Sequence, residues 1–60
     1  MTRLEAFIIG QLRRGPRSVL LLAMELEERT DDVKRACERL AANGLVEHGV
    51  DGWKLVKEAA

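Results

Sequence analysis

The sequence predicts an α+β domain in which three short helices are followed by a two-stranded β-hairpin. Apolar residues recur at helical spacing in three successive segments before position 43. Breaks between these segments fall at Gly15-Pro16 and before Ser18 and Thr30, two residues suited to capping helix N-termini. After Asn43-Gly44 the pattern changes to β-forming residues on either side of Gly49-Val50-Asp51-Gly52, a turn signal for a hairpin.

The first helix is expected from about Arg3 to Arg14, with Leu4, Phe7, Ile8 and Leu12 facing the core. Gly15-Pro16 stops it. Ser18 caps a second helix that runs to about Glu28 and turns Val19, Leu22, Ala23 and Leu26 inward. Thr30 is the expected cap of the third, whose first turn holds Asp31 and Asp32, as the positive end of a helix dipole favours. Val33, Ala36, Cys37 and Leu40 make its inner face, and Asn43-Gly44 ends it. Strands are expected at Leu45 to His48 and Trp53 to Val56, with Lys57 to Ala60 as a loose tail.

The order Leu22-Ala23, Val33, Leu40 and Gly44-Leu45-Val46 resembles the pattern of winged helix-turn-helix domains, and the resemblance covers nearly the whole chain. It implies a single domain over residues 1–60, with the third helix as the recognition element and the hairpin as a very short wing. Winged helices mostly bind DNA, although some bind only proteins. Two positions depart from the pattern in the turn between helices two and three: the family usually has Gly at the place of Glu27 and an apolar residue at the place of Glu28.

Sixty residues make one domain with a marginal core, since the chain has one Phe, one Trp and no Tyr. Ten basic and ten acidic residues give a formal net charge of zero, so any attraction to a polyanion depends on how charge is distributed. No apolar run reaches the roughly 18 residues of a membrane span, and the N-terminus lacks the organisation of a signal peptide. One Cys allows no intrachain disulfide, and the expectation is an intracellular, cytoplasmic protein. The sequence supports neither catalysis nor metal or cofactor binding: one His and one Cys make no metal site, and no nucleophile, base and orienting group can be grouped. Cys37 is expected as a buried thiol, and His48 as an exposed strand-end residue or as a phosphate or pH-sensitive contact.

On the third helix, Asp31, Lys34, Arg35, Glu38 and Ala42 point away from the core. Two acids and two bases cancel there, and the spacing pairs Asp31 with Arg35 and Lys34 with Glu38. The face is either a self-paired solvated surface or the element that enters a major groove. In the groove, Lys34 and Arg35 are candidates for guanine or phosphate and Glu38 for a cytosine amino group. Arg13, Arg14 and Arg17 cluster before the second helix, where family geometry puts Ser18 and free backbone N–H groups against a phosphate. Trp53-Lys54 is similar to the wing of the Z-DNA-binding branch, in which the Trp packs beside the recognition helix and the Lys touches backbone. That branch has Asn and Tyr at the places of Lys34 and Glu38, so specificity for left-handed DNA is not expected. The second helix carries more apolar residues than its core face needs: Leu20, Leu21 and Met24 are left for a homodimer or protein partner. The expected function is that of a small regulator binding double-stranded DNA through Arg17, Ser18, Thr30, Lys34, Arg35, Glu38, Trp53 and Lys54. The alternative is a protein-binding winged helix that uses the apolar face of helix two.

Overall fold

A computed structural model gives the fold and describes residues 1–56; the expected tail lies outside the described residues. The elements are α1 (Arg3–Leu12), α2 (Val19–Leu26), α3 (Thr30–Ala42), β1 (Val46–Gly49) and β2 (Gly52–Leu55). This is the winged-helix layout. The strands pair antiparallel with Val46 opposite Leu55 and His48 opposite Trp53, and Val50-Asp51 makes a tight turn.

α1 begins with a capping box: the Glu5 N–H donates to Thr2 Oγ1 at 3.1 Å, and the Thr2 N–H donates to Glu5 Oε1 at 2.7 Å. It ends at Leu12, two residues earlier than expected. The Arg14 and Gly15 N–H groups donate to Gln11 and Leu12 carbonyls, which tightens the chain into a turn. Gly15 then takes φ 137°, a conformation open to glycine.

The core is built from Ile8, Leu12, Leu22, Ala23, Val33, Ala36, Cys37, Leu40 and Val46. The inner face of α3 is the one expected. That of α1 is rotated: Phe7 is half exposed, with the Arg3 guanidinium 5.8 Å from its ring centroid, while Glu5 is buried. At about 100° per residue, Glu5, Ile8 and Leu12 share one arc and Phe7 lies off its edge. Glu5 is tolerated inside because its carboxylate is satisfied twice, by the Thr2 N–H and by Arg39 Nε at 3.1 Å. These bonds hold its carboxyl below the usual range, the Thr2 N–H first and then the Arg39 guanidinium. A depressed carboxyl stabilises the fold above its unfolded pKa, and the contribution fades as the pH falls through the folded value. The Glu5–Arg39 pair also ties α1 to α3.

Candidate nucleic-acid interface

Ser18 is the N-cap of α2, as expected: its Oγ accepts from the Leu21 N–H at 3.1 Å. The residue before it makes a connection that the sequence pattern did not reveal. Arg17 and Trp53 exchange both backbone hydrogen bonds, at 3.0 and 2.8 Å, so the return strand of the wing is flanked by β1 on one side and Arg17 on the other. The only visible signal was a three-residue non-helical stretch between Gly15 and α2, in which Pro16 blocks helix formation. Gly52 makes the approach possible: a Cβ there would lie 2.6 Å from the Arg17 carbonyl oxygen, and its φ is 113°. The N-terminus of α2 and the wing therefore form one frame.

Because Trp53 spends its N–H and C=O on Arg17, its pairing with His48 lacks ladder bonds, the geometry that brings opposite side chains close. The two rings meet edge to face with centroids 4.9 Å apart. Trp53 is partly buried against the core, the role of covering one end of it, and His48 is exposed. Glu47 and Lys54 occupy the opposite face of the hairpin, where Lys54 Nζ lies 3.9 Å from Glu47 Oε2.

Arg17 is less available than its charge implies. Its Nε donates to Glu25 Oε1 at 3.2 Å and its Nη1 to the Pro16 carbonyl at 3.0 Å, while Gln11 donates to the same Glu25 oxygen. Glu25 was missed as a partner because the two residues belong to different segments of the sequence. Arg13 and Arg14 are exposed and have no ion pair among the described residues.

The outer face of α3 is open. Thr30, Asp31, Lys34, Arg35, Glu38 and Ala42 are all exposed. Thr30 is not the cap: the Val33 N–H donates to the Arg29 carbonyl, which makes Arg29 the N-cap, and among the described residues no side chain bonds the free N–H groups. Thr30 is the first helical residue. The expected pairs are also replaced: Arg35 Nη2 donates to Asp32 Oδ1 at 3.1 Å, one turn back at i,i+3, rather than to Asp31. Lys34 has no ion pair among the described residues.

The two departures at Glu27 and Glu28 fall in the turn joining the two helices. The Glu28 N–H donates to the Ala23 carbonyl and the Glu27 N–H to the Met24 carbonyl, the hydrogen bonds of a Schellman motif, and Glu27 takes the left-handed conformation with φ 55° and ψ 48°. The motif favours Gly at the left-handed position and an apolar residue after it, the residue types the family pattern has there. Here both are exposed glutamates.

On the outer side of α2, Leu20 is 63%, Leu21 39% and Met24 69% exposed, so the expected apolar surface is present. Cys37 is wholly buried, and that burial, with the negative charge of Glu38 adding to it, pushes its thiol up to about 11. At neutral pH it is a protonated, inert core group. Among the described residues no helix is long and apolar enough to cross a membrane, and no three His, Cys, Asp or Glu side chains group as metal ligands. Set against family models, curated proteins and solved structures, the chain matches none.

Proposed function

We propose that this chain binds double-stranded DNA as a small transcriptional regulator, with α3 in the major groove and the hairpin against the backbone. The observation that carries the reading is the open outer face of α3 beside a frame joining the α2 N-terminus to the wing through Arg17 and Trp53. Lys34 and Arg35 are the base or phosphate contacts, and Glu38 accepts from a cytosine amino group. Thr30 and the N–H groups of the first turn of α3 reach phosphate. Ser18 and the start of α2 take a second phosphate, with Arg17 beside it, and Lys54 takes a third from the outer face of the wing. Trp53 acts by fixing the wing. The reading carries a cytoplasmic location with it.

Salt titration of binding to mixed-sequence duplex tests this directly. Neutralising Z phosphates gives a fall of log K against log salt with slope about −0.9Z. Absence of binding at about 50 mM salt, where phosphate contacts are strong, would remove the proposal. Arg35→Ala should weaken binding by about 1–3 kcal/mol if the guanidinium reads a base edge.

A second reading has its own support in the Asp32–Arg35 ion pair and the zero net charge, which reduce the positive field on α3. In that reading the domain binds protein through Leu20, Leu21 and Met24 and leaves nucleic acid alone. A Lys34→Ala/Arg35→Ala variant separates the two: it abolishes function in the first reading and leaves it intact in the second.

A further inference from the structure

Given the duplex-binding reading above, on which this step rests, we infer that Arg39 is a further phosphate contact, held in place by the buried carboxylate of Glu5 and turned to the DNA strand opposite the one that Lys34 meets. Glu5 spends both oxygens inside the protein: Oε1 accepts from the Thr2 N–H at 2.7 Å and Oε2 from Arg39 Nε at 3.1 Å. Of the guanidinium's N–H groups, this uses the one on Nε. Those on Nη1 and Nη2 have no hydrogen-bond partner among the described residues, and the side chain of Arg39 is 53% exposed while that of Glu5 is 8% exposed. A guanidinium gripped at Nε by a buried acid presents its two-nitrogen end to water. That end has the fork geometry that takes two phosphate oxygens at once, and the grip on Nε limits how far it can wander before a ligand arrives.

Helix phase puts Arg39 where a groove wall would stand. Val33, Ala36, Cys37 and Leu40 make the buried face of α3, and at about 100° per residue Lys34 and Arg39 fall on opposite flanks, each about 70° from the outward direction. Asp31, Arg35, Glu38 and Ala42 occupy the strip between them. A helix lying in a major groove about 12 Å wide meets base edges with its centre and the two phosphate backbones with its flanks.

The charges of α3 follow this division. The central strip holds two acids and one cation, Arg35, whose Nη2 is already bonded to Asp32. Each flank holds one cation with donors to spare: Lys34 has no ion pair among the described residues, and Arg39 is paired through Nε alone. Asp32 shares the Arg39 flank nearer the helix start, but its carboxylate is taken up by Arg35.

Salt titration of duplex binding separates this role from a purely structural one. The set is Glu5→Gln, Arg39→Gln and the double variant Glu5→Gln/Arg39→Gln, with circular dichroism used to choose a temperature at which all are folded. The double variant leaves no buried carboxylate without a partner and keeps the net charge of the wild type, so a change in its binding reports the position of the lost guanidinium. Each lost phosphate contact makes the slope of log K against log salt shallower by about 0.9. Arg39→Gln and the double variant should both show that loss and should weaken binding by the same factor on two unrelated duplex sequences, as a phosphate contact requires. Glu5→Gln keeps the guanidinium and should retain the wild-type slope. A double variant with the wild-type slope overturns the phosphate contact and leaves Arg39 as a tie between α1 and α3. A loss seen on only one of the two sequences overturns it in favour of a base contact. If the wild type itself fails to bind at about 50 mM salt, the duplex reading falls and this contact with it, a result distinct from a wild type that binds and a slope that does not move.

Discussion

The ends of α2 and α3 carry one backbone motif in two very different sequences. After α3, the Leu45 N–H donates to Leu40 and the Gly44 N–H to Ala41, both at 3.0 Å; after α2, Glu28 donates to Ala23 at 2.9 Å and Glu27 to Met24 at 3.4 Å. Gly44 has φ 76° and Glu27 φ 55°. At the first end glycine takes the left-handed position at no steric cost, and Leu45 packs back on the core beside Leu40. At the second, a β-carbon is forced into the left-handed region and Glu28 faces water. The end of α3 is locally consistent and launches the wing, whereas the turn that sets α3 against α2 is held by its surroundings. Glu27 and Glu28 also put two carboxylates a few residues ahead of Asp31 and Asp32 in the chain.

The largest expected effect comes from a third left-handed position, where space as well as φ is limiting. Gly52→Ala should cost about 1–3 kcal/mol in backbone strain alone. Displacement of the wing from Arg17 adds to that, because the new Cβ would meet backbone at 2.6 Å. Urea unfolding followed by Trp53 fluorescence reads the loss. A variant as stable as the wild type would show that the Arg17–Trp53 bridge is not a fixed part of the frame.

Exchanging the residues at the two helix ends should give nearly mirror-image effects. A left-handed non-glycine residue costs about 1–2 kcal/mol, reduced by the lower chain entropy of the unfolded state relative to glycine. Gly44→Glu should therefore destabilise by about 1 kcal/mol, since a Cβ there meets nothing within 4 Å. Glu27→Gly should stabilise by about the same amount. If thermal denaturation shows Glu27→Gly to be neutral or harmful, the turn gains something from the Glu27 side chain that the backbone comparison omits.

Those asymmetries also mark how far the sequence could be read. Helical periodicity located all three helices and the inner face of α3, because four apolar residues there share one narrow arc. Asn43-Gly44 and Ser18 fixed two boundaries through chemistry that acts locally. Phe7 was expected inside and is half exposed, while Glu5, which no pattern in the sequence singled out, is buried. The burial of Glu5 depends on Arg39, 34 residues away, which turns a charged residue into an acceptable core neighbour. Arg17 was legible as a charge but not as a strand partner of Trp53, since pairing across 36 positions leaves no periodic trace. The exposed faces of α2 and α3 follow from helical phase, as expected.

A smaller effect is expected at the start of α3, where Arg29 holds the N-cap position with an extended backbone but bonds none of the free N–H groups. Arg29→Ser should add a cap worth about 1 kcal/mol and remove a positive charge from the positive end of the dipole. A drop in thermal stability would instead show that the Arg29 side chain makes a contact of greater value than the cap.

The smallest change in stability, and the one most relevant to function, is expected at Asp31. It stands exposed in the first turn of α3, after Glu27 and Glu28 and beside the Asp32 that pairs with Arg35. As a carboxylate it favours the helix N-terminus by about 0.3–1 kcal/mol, so Asp31→Asn should lower the denaturation midpoint slightly. In the proposed docking pose the same charge faces phosphate, and removing it should tighten duplex binding while stability falls. Stability and affinity then move in opposite directions, an outcome that general loosening of the fold cannot produce. Fluorescence anisotropy with a labelled duplex, alongside thermal melts, separates the cases. Tighter binding by the weaker fold places this end of α3 at the phosphates. Equal or weaker binding places it away from them and shifts the balance to the protein-binding reading, in which the acidic turn has no polyanion to repel.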